Sequence, residues 1–130
     1  MIAGMLWAVS LIAADPTAEQ LELLKTFRAE FVTITPGEGS FPRSFRMGSE
    51  QVGEDATPLR VVSFAKPFHF ARYEVPQNLW EAVMGSNPSR WKGRRNSSEM
   101  FSWTESVEFC RRATELMRSA KLIGPDETLR

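Results

Sequence analysis

A loop-rich α+β fold is what this sequence predicts, and three observations predict it. Three segments carry apolar residues at helical spacing, two of them behind capping boxes. Four short segments are rich in β-branched and aromatic residues and stop at glycine or proline. Between these lie polar stretches too long for simple turns. With 130 residues the chain has room for one domain and hardly two, and a chain of this size buries roughly two thirds of its unfolded surface.

The elements follow in order. Residues 1–14 contain no Asp, Glu, Lys or Arg and are mostly apolar. That is shorter than the ~20 residues a membrane-spanning helix needs, so no integral membrane segment is expected. The stretch has the length of a signal-peptide apolar region and ends in the small residues Ala13 and Ala14, but it lacks a positive leader. Two readings stay open, a secretory signal or a buried N-terminal segment. The first implies a secreted or periplasmic protein, the second a cytoplasmic one. Residues 15–30 follow as an N-terminal helix. Thr17 and Gln20 have capping-box spacing, and Leu21, Leu24, Phe27 and Phe31 recur at helical intervals, which predicts a helix over Ala18–Ala29.

From residue 31 to 130 the pattern shortens. Strands are expected at Phe31–Thr35, Phe45–Gly48, Arg60–Phe64 and Phe68–Val75, with a polar, acidic loop at Gln51–Pro58. The short Ala65-Lys66-Pro67 interruption suggests that the last two strands form a hairpin. Pro76 suits the first position of a helix, because its missing N–H is not needed there. Leu79, Trp80, Val83 and Met84 then mark one helical face, and Gly85 ends it. Ser86–Ser98 reads as a long polar loop. Ser102 or Thr104 is placed to cap the last helix, and Ser102 with Glu105 makes a second capping box. Val107, Cys110, Ala113, Met117 and Ala120 form its expected buried stripe, widened by Phe109 and Leu116, with Gly124-Pro125 as its stop. That stripe should leave apolar surface uncovered, so the isolated chain is expected to be poorly stable or to aggregate.

Composition excludes some functions. Sixteen Lys and Arg balance sixteen Asp and Glu, for a formal net charge of zero. Nucleic-acid binding needs a basic face that displaces counterions from phosphates, so no nucleic-acid partner is expected. One cysteine and one histidine are present. One thiol closes no internal disulfide and builds no zinc site alone. No Gly-x-Ser-x-Gly elbow is present to hold a nucleophilic serine.

The chemistry-bearing residues mostly have structural readings. Cys110 lies on an apolar helical stripe, where a free cysteine behaves as a small hydrophobe. It is read as core rather than as a nucleophile or copper ligand. His69, between Phe68 and Phe70, should alternate to the face opposite the two rings and has no partners in reach for acid–base work. Arg90, Lys92, Arg94 and Arg95 interleave with Trp91, a pattern that elsewhere stacks bases. Here the cluster is short and is read as a solvated loop. Trp80, Trp91 and Trp103 are read as buried anchors rather than a cleft lining, and Glu105 and Glu108 as surface carboxylates.

Taken in order, several segments carry a resemblance. Phe45-Arg46-Met47-Gly48-Ser49, then Pro58 with Arg60-Val61-Val62, then Phe68 to Tyr73-Glu74-Val75 run collinearly. Val83-Met84-Gly85-Ser86-Asn87-Pro88-Ser89-Arg90-Trp91-Lys92-Gly93 and Glu99 to Cys110, with Ser102-Trp103 inside it, follow. This run resembles the N-terminal half of the formylglycine-generating-enzyme, or sulfatase-modifying-factor, family. It departs from the family's pattern at Pro76-Gln77, at Ser97 and Ser98, at Phe101 and at Glu105-Ser106. The resemblance covers residues 31–130 and implies an irregular fold related to C-type lectins, truncated here.

The intact protein, by the same resemblance, is an oxidase that converts a sulfatase cysteine to formylglycine, with a sulfatase or another protein as partner. The family's copper-binding cysteine pair and its calcium loops belong to the C-terminal half. So no catalytic, cofactor-binding or metal residue carries over to this chain, and the chain alone is expected to be inactive. Two alternatives stand beside that expectation. One is a non-catalytic module of the same fold that binds a protein or glycan through its loops. The other is a sulfoxide-synthase-like iron enzyme, which needs a histidine-rich helical domain that Ala18–Ala29 is too short to represent.

Overall fold

The computed structural model describes residues 15–51, 53, 56 and 58–130. The architecture is α+β: three helices and two small antiparallel sheets among the described residues. The apolar segment 1–14, with its signal-peptide reading, lies outside the described residues, as does part of the 51–58 loop. Among the described residues no helix is long and apolar enough to cross a membrane. The chain divides into two compact units, one holding described residues 15–29 and 73–130, the other Glu30–Arg72.

The first unit is built on helices α1 (Ala18–Ala29), α2 (Gln77–Met84) and α3 (Trp103–Ser119). Helix α1 starts at the expected box. The Gln20 amide N–H donates to Thr17 Oγ1 at 3.2 Å, and the Thr17 N–H donates to Gln20 Oε1 at 2.9 Å. Two orphan amides of the first turn are thereby satisfied. The same Gln20 side chain donates to the Ala82 carbonyl of α2 at 2.7 Å, so one residue both opens α1 and ties it to its neighbour. Leu24 and Phe27 are the buried residues of α1, while Phe31, at the end of the predicted stripe, opens a strand instead.

Pro76 sits one position earlier than expected, at the N-cap in extended conformation, with no side-chain cap bond. Leu79, Trp80 and Val83 bury the predicted face. Gly85 closes the helix in the left-handed region at φ 85°, its N–H reaching the Glu81 carbonyl. The Trp80 ring lies between Phe101, at 4.3 Å between centroids, and Phe109, at 5.1 Å, with both rings nearly parallel to it. This three-ring stack fastens α2 to α3 and to the residues just before it.

Helix α3 opens with the full Ser102–Glu105 capping box. Its buried face is Phe109, Ala113, Thr114 and Met117, rotated from the predicted stripe. Val107 is 48% exposed and Cys110 is half-buried. The Phe109 ring, which locks onto Trp80, sets the orientation and turns the Val107 side outward. The helix also stops before Gly124-Pro125. Leu122 N–H donates to the Met117 carbonyl at 2.8 Å and Lys121 N–H to Arg118 at 3.0 Å, the paired bonds of a Schellman stop. Lys121 takes the left-handed position at φ 57°.

The second unit contains β1 (Phe31–Ile34), β2 (Ser44–Met47), β3 (Arg60–Ser63) and β4 (Phe68–Ala71). The expected β3–β4 hairpin does not form. Instead β1 pairs antiparallel with β4, with Thr33 opposite His69, and β2 pairs antiparallel with β3, with Phe45 opposite Val62. The pairing is nested in chain order, since β2 and β3 fall between β1 and β4 along the sequence. A proline-containing link lacks the Asn-Gly or Asp-Gly chemistry of a tight hairpin, and β3 has its ladder with β2 extended by Phe64 N–H to the Arg43 carbonyl. The predicted strand to Val75 stops at Ala71. Phe64 stacks on Phe45 and meets Phe68 at a tilt, with 5.0 Å between centroids. Gly48 follows β2 at φ 101°, where a Cβ would come within 2.5 Å of the Ala56 carbonyl oxygen, so only glycine fits.

Candidate functional site

The best-organised polar arrangement is centred on Gln77, at the first turn of α2 and only 1% exposed. All four hydrogen-bonding positions of its side chain are used. Nε2 donates to the carbonyls of Trp91 at 2.9 Å and Ser97 at 3.1 Å, and Oε1 accepts from Asn87 Nδ2 at 3.0 Å and the Gly93 N–H at 3.1 Å. The four bonds offset the desolvation cost of burying this amide.

The loop that surrounds it, residues 86–98, is fixed by a second set of bonds. Asn87 Oδ1 accepts from the Ser89 N–H at 3.0 Å, an Asx turn. Ser89, 2% exposed, accepts the Glu99 N–H on Oγ at 3.1 Å. Glu99 Oε1 then accepts two backbone N–H groups, from Arg90 at 2.8 Å and Trp91 at 3.0 Å. The loop returns the favour to the helix. The Asn96 carbonyl accepts the Gln77 N–H and the Arg94 carbonyl accepts the Asn78 N–H, standing in for the side-chain cap that Pro76 cannot provide. Gly93 leaves room for the Asn96 side-chain amide, which a Cβ there would meet at 2.6 Å and push aside.

Beside the network a cleft of about 670 Å³ opens, with Glu19, Asn78, Glu81, Lys92 and Arg94 on its walls. Carboxylates and cations both face it, which suits a polar ligand more than an apolar one. Lys92 is partly committed, its Nζ donating to the Asn87 carbonyl at 2.7 Å. A second, more apolar groove of about 530 Å³ runs along α3 past Trp103, Val107, Cys110 and Thr114 to Leu129.

The residues singled out from sequence fall in several places. Trp80 is a buried anchor, but Trp91 and Trp103 are not, being 65% and 80% exposed. Trp91 gives its carbonyl to Gln77 and leaves its ring outside, under the Arg90 guanidinium at 5.2 Å. Trp103 is the first residue of α3, and the rotation of that helix turns it outward. Arg90, Lys92, Arg94 and Arg95 are exposed on the loop. His69 is exposed on β4, its Nδ1 3.1 Å from Thr33 Oγ1, and it shares no face contrast with Phe70, which is 64% exposed.

Cys110 lines the α3 groove, and burial pushes its thiol up, away from the reactive thiolate. Glu105 is held below the usual carboxylate range by Ser102, through its backbone N–H first and its hydroxyl second. Glu108 is held lower still, at about 2, by hydrogen bonds from Arg111 and then Arg112. Both carboxylates therefore stay ionised and are committed to α3 itself, which leaves neither as an acid. Gln77 was missed from sequence, although its position directly after Pro76, where a helix start lacks a side-chain cap, was the one available signal.

No family model matches the chain, and no solved structure matches it. Over 43 residues, 33% of the chain, it is 42% identical to "Chaperone protein LppX" of Paenibacillus barcinonensis, and the match spans 15% of that protein's length.

Proposed function

We propose that this chain is the N-terminal part of a formylglycine-generating-enzyme-like domain, and that its own contribution is to hold loops in place rather than to carry out the oxidation. One observation supports the reading above others. The two segments with the most distinctive resemblance, 83–93 and 99–110, are joined through Gln77, Glu99 and the Trp80 stack into one interlocked unit.

The copper chemistry that the resemblance implies does not fit the residues present. A copper(I) thiolate site needs soft sulfur donors in a pair, whereas Cys110 is the one cysteine, and burial pushes its thiol up, away from the thiolate. No oxidation step is therefore assigned to this chain.

The test is to read the gene through and past the codon for Arg130. A frame that runs on into a Leu-Pro-x-Glu-x-Glu-Trp segment and a later cysteine pair supports the oxidase reading of the whole protein. A frame that runs on into sequence without either feature refutes it. In parallel, the chain is incubated with a sulfatase-derived cysteine peptide and the peptide mass followed. No conversion is expected, and conversion abolished by Cys110→Ala would overturn the placement of the chemistry.

A second reading has its own support. The apolar groove along α3 and the name of the partly matching relative, a chaperone protein, both favour a non-catalytic module that binds polypeptide.

A further inference from the structure

The cleft beside the Gln77 hub is polarised along α2, and its polarity runs against the helix. At the first turn of α2 the loop supplies cations. The Arg94 carbonyl accepts the Asn78 N–H and the Gly93 N–H reaches Gln77 Oε1, so residues 92–94 lie over that turn. Lys92 and Arg94 line the cleft there with Asn78. At the last turn the helices supply carboxylates. Glu81 belongs to that turn of α2. Gln20 Nε2 donates to the Ala82 carbonyl, which brings the start of α1, with Glu19 in its first turn, to the same end.

A helix dipole favours anions at the first turn and cations at the last. Helix α2 has no acidic residue in its first turn and no basic one in its last. Cations beside the first turn and Glu81 in the last therefore do nothing for the stability of α2. Nor do the two sets neutralise each other. Among the described residues no ion pair joins Glu19 or Glu81 to Lys92 or Arg94, and all four are exposed. The N–H groups of Gln77, Asn78 and Leu79 are already bonded, so an anion at that end meets side chains. Asn78 is one of them: its Oδ1 accepts the Leu79 N–H, which leaves its Nδ2 to donate.

We infer that this cleft is a binding site for a small zwitterion, its anionic end on Lys92, Arg94 and Asn78 and its ammonium on Glu81 and Glu19. The spacing sets the length of the ligand. Asn78 and Ala82 stand four residues apart, ~6 Å along the helix axis. An extended peptide spans ~3.3–3.6 Å per residue. A dipeptide with free ends therefore reaches from one end of the cleft to the other, and a free amino acid does not. The cleft volume of about 670 Å³ lies within the range of small-molecule pockets. The site stands apart from the family reading, because it uses only α1, α2 and residues 92–94.

Glycylglycine is titrated into the isotope-labelled full chain, and Kd is read by NMR from the Asn78 side-chain amide and the Gly93 N–H. Saturable shifts are expected at both. Glycylglycinamide lacks the anion and acetylglycylglycine the ammonium. Each should bind about two- to fivefold more weakly, the range of exposed ion pairs, and glycine should fall with them. Arg94→Gln should make glycylglycine bind like its amide, and Glu81→Gln should make it bind like its acetyl derivative. Both substitutions alter exposed residues, so both chains should melt like the parent. Absence of a saturable shift, or one Kd for all three peptides, overturns the inference. So do end preferences that survive both substitutions, because another surface then holds the peptide.

Discussion

Replacing Gln77 by leucine keeps most of the side-chain volume and removes every hydrogen bond at the hub. Four partners lose their bonds: the Trp91 and Ser97 carbonyls, Asn87 Nδ2 and the Gly93 N–H. Each ordinary bond contributes about 1 kcal/mol net, and a partner left buried costs about 1–3 kcal/mol. Trp91 and Ser97 are exposed residues and Asn87 and Gly93 half-buried ones, so water reaches some of the orphaned groups. The loss should then lie near the lower bound, about 3–4 kcal/mol, a large part of the ~5–15 kcal/mol that holds a domain together. Urea unfolding measures it, and amide exchange localises it: the Gly93 N–H should lose protection before the α3 amides do. Gln77→Glu sharpens the argument. Its carboxylate still accepts from Asn87 and Gly93 but turns an acceptor toward two carbonyls, so it should destabilise at neutral pH. It should recover in part on acidification, when the protonated acid donates again. A Gln77→Leu chain within ~0.5 kcal/mol of the parent, the usual range of an inconsequential surface change, would falsify the hub.

Three further outcomes are expected. Trp80→Ala empties the space between Phe101 and Phe109 and should cost about 3–5 kcal/mol, with loss of the near-ultraviolet circular dichroism of the stacked rings; retention of that signal refutes the stack. Lys121→Gly relieves a left-handed lysine at φ 57° and should stabilise by about 0.5–1 kcal/mol, read as a higher Tm; a lower Tm would mean that the lysine side chain itself holds the turn. Glu108 has its pKa lowered from 4.5 to about 2 by Arg111 and Arg112, so its stabilisation is present above pH ~4.5 and lost as the pH falls toward ~2. Glu108→Gln should flatten the Tm profile in that window and leave it parallel to the parent above it; an unchanged acid slope sinks the assignment.

Local signals were the legible ones. The bounds of α1 and the two capping boxes are written in residues three or four apart, and the Thr17–Gln20 and Ser102–Glu105 pairs form as spaced. Pairing of strands is a choice among distant partners, and the nearest strand in sequence was the wrong one for both β3 and β4. Helix α3 shows why apolar periodicity gives a face only to within a turn. Val107 and Phe109 were both eligible, and what decided between them was Trp80, 29 positions upstream, against which only Phe109 could stack. The same rotation carried Trp103 and Val107 into solvent, so the error in the face and the existence of the groove have one cause.

The hub was hidden for a different reason. A glutamine after a proline has no motif of its own, and its four partners, Asn87, Trp91, Gly93 and Ser97, supply mostly backbone groups. Backbone donors and acceptors are the same in every sequence, so such a site becomes visible only once the loop closes. That makes the composition of the loop intelligible after the fact. Asn87 and Ser89 set the Asx turn, Gly93 leaves room for the Asn96 amide, and Glu99 ties down Arg90 and Trp91. Of the basic side chains between them, Lys92 also ties back to the Asn87 carbonyl, while Arg90 and Arg94 are exposed. A loop bound this tightly through its main chain can vary its outward side chains without losing its shape, which is the property a binding surface requires.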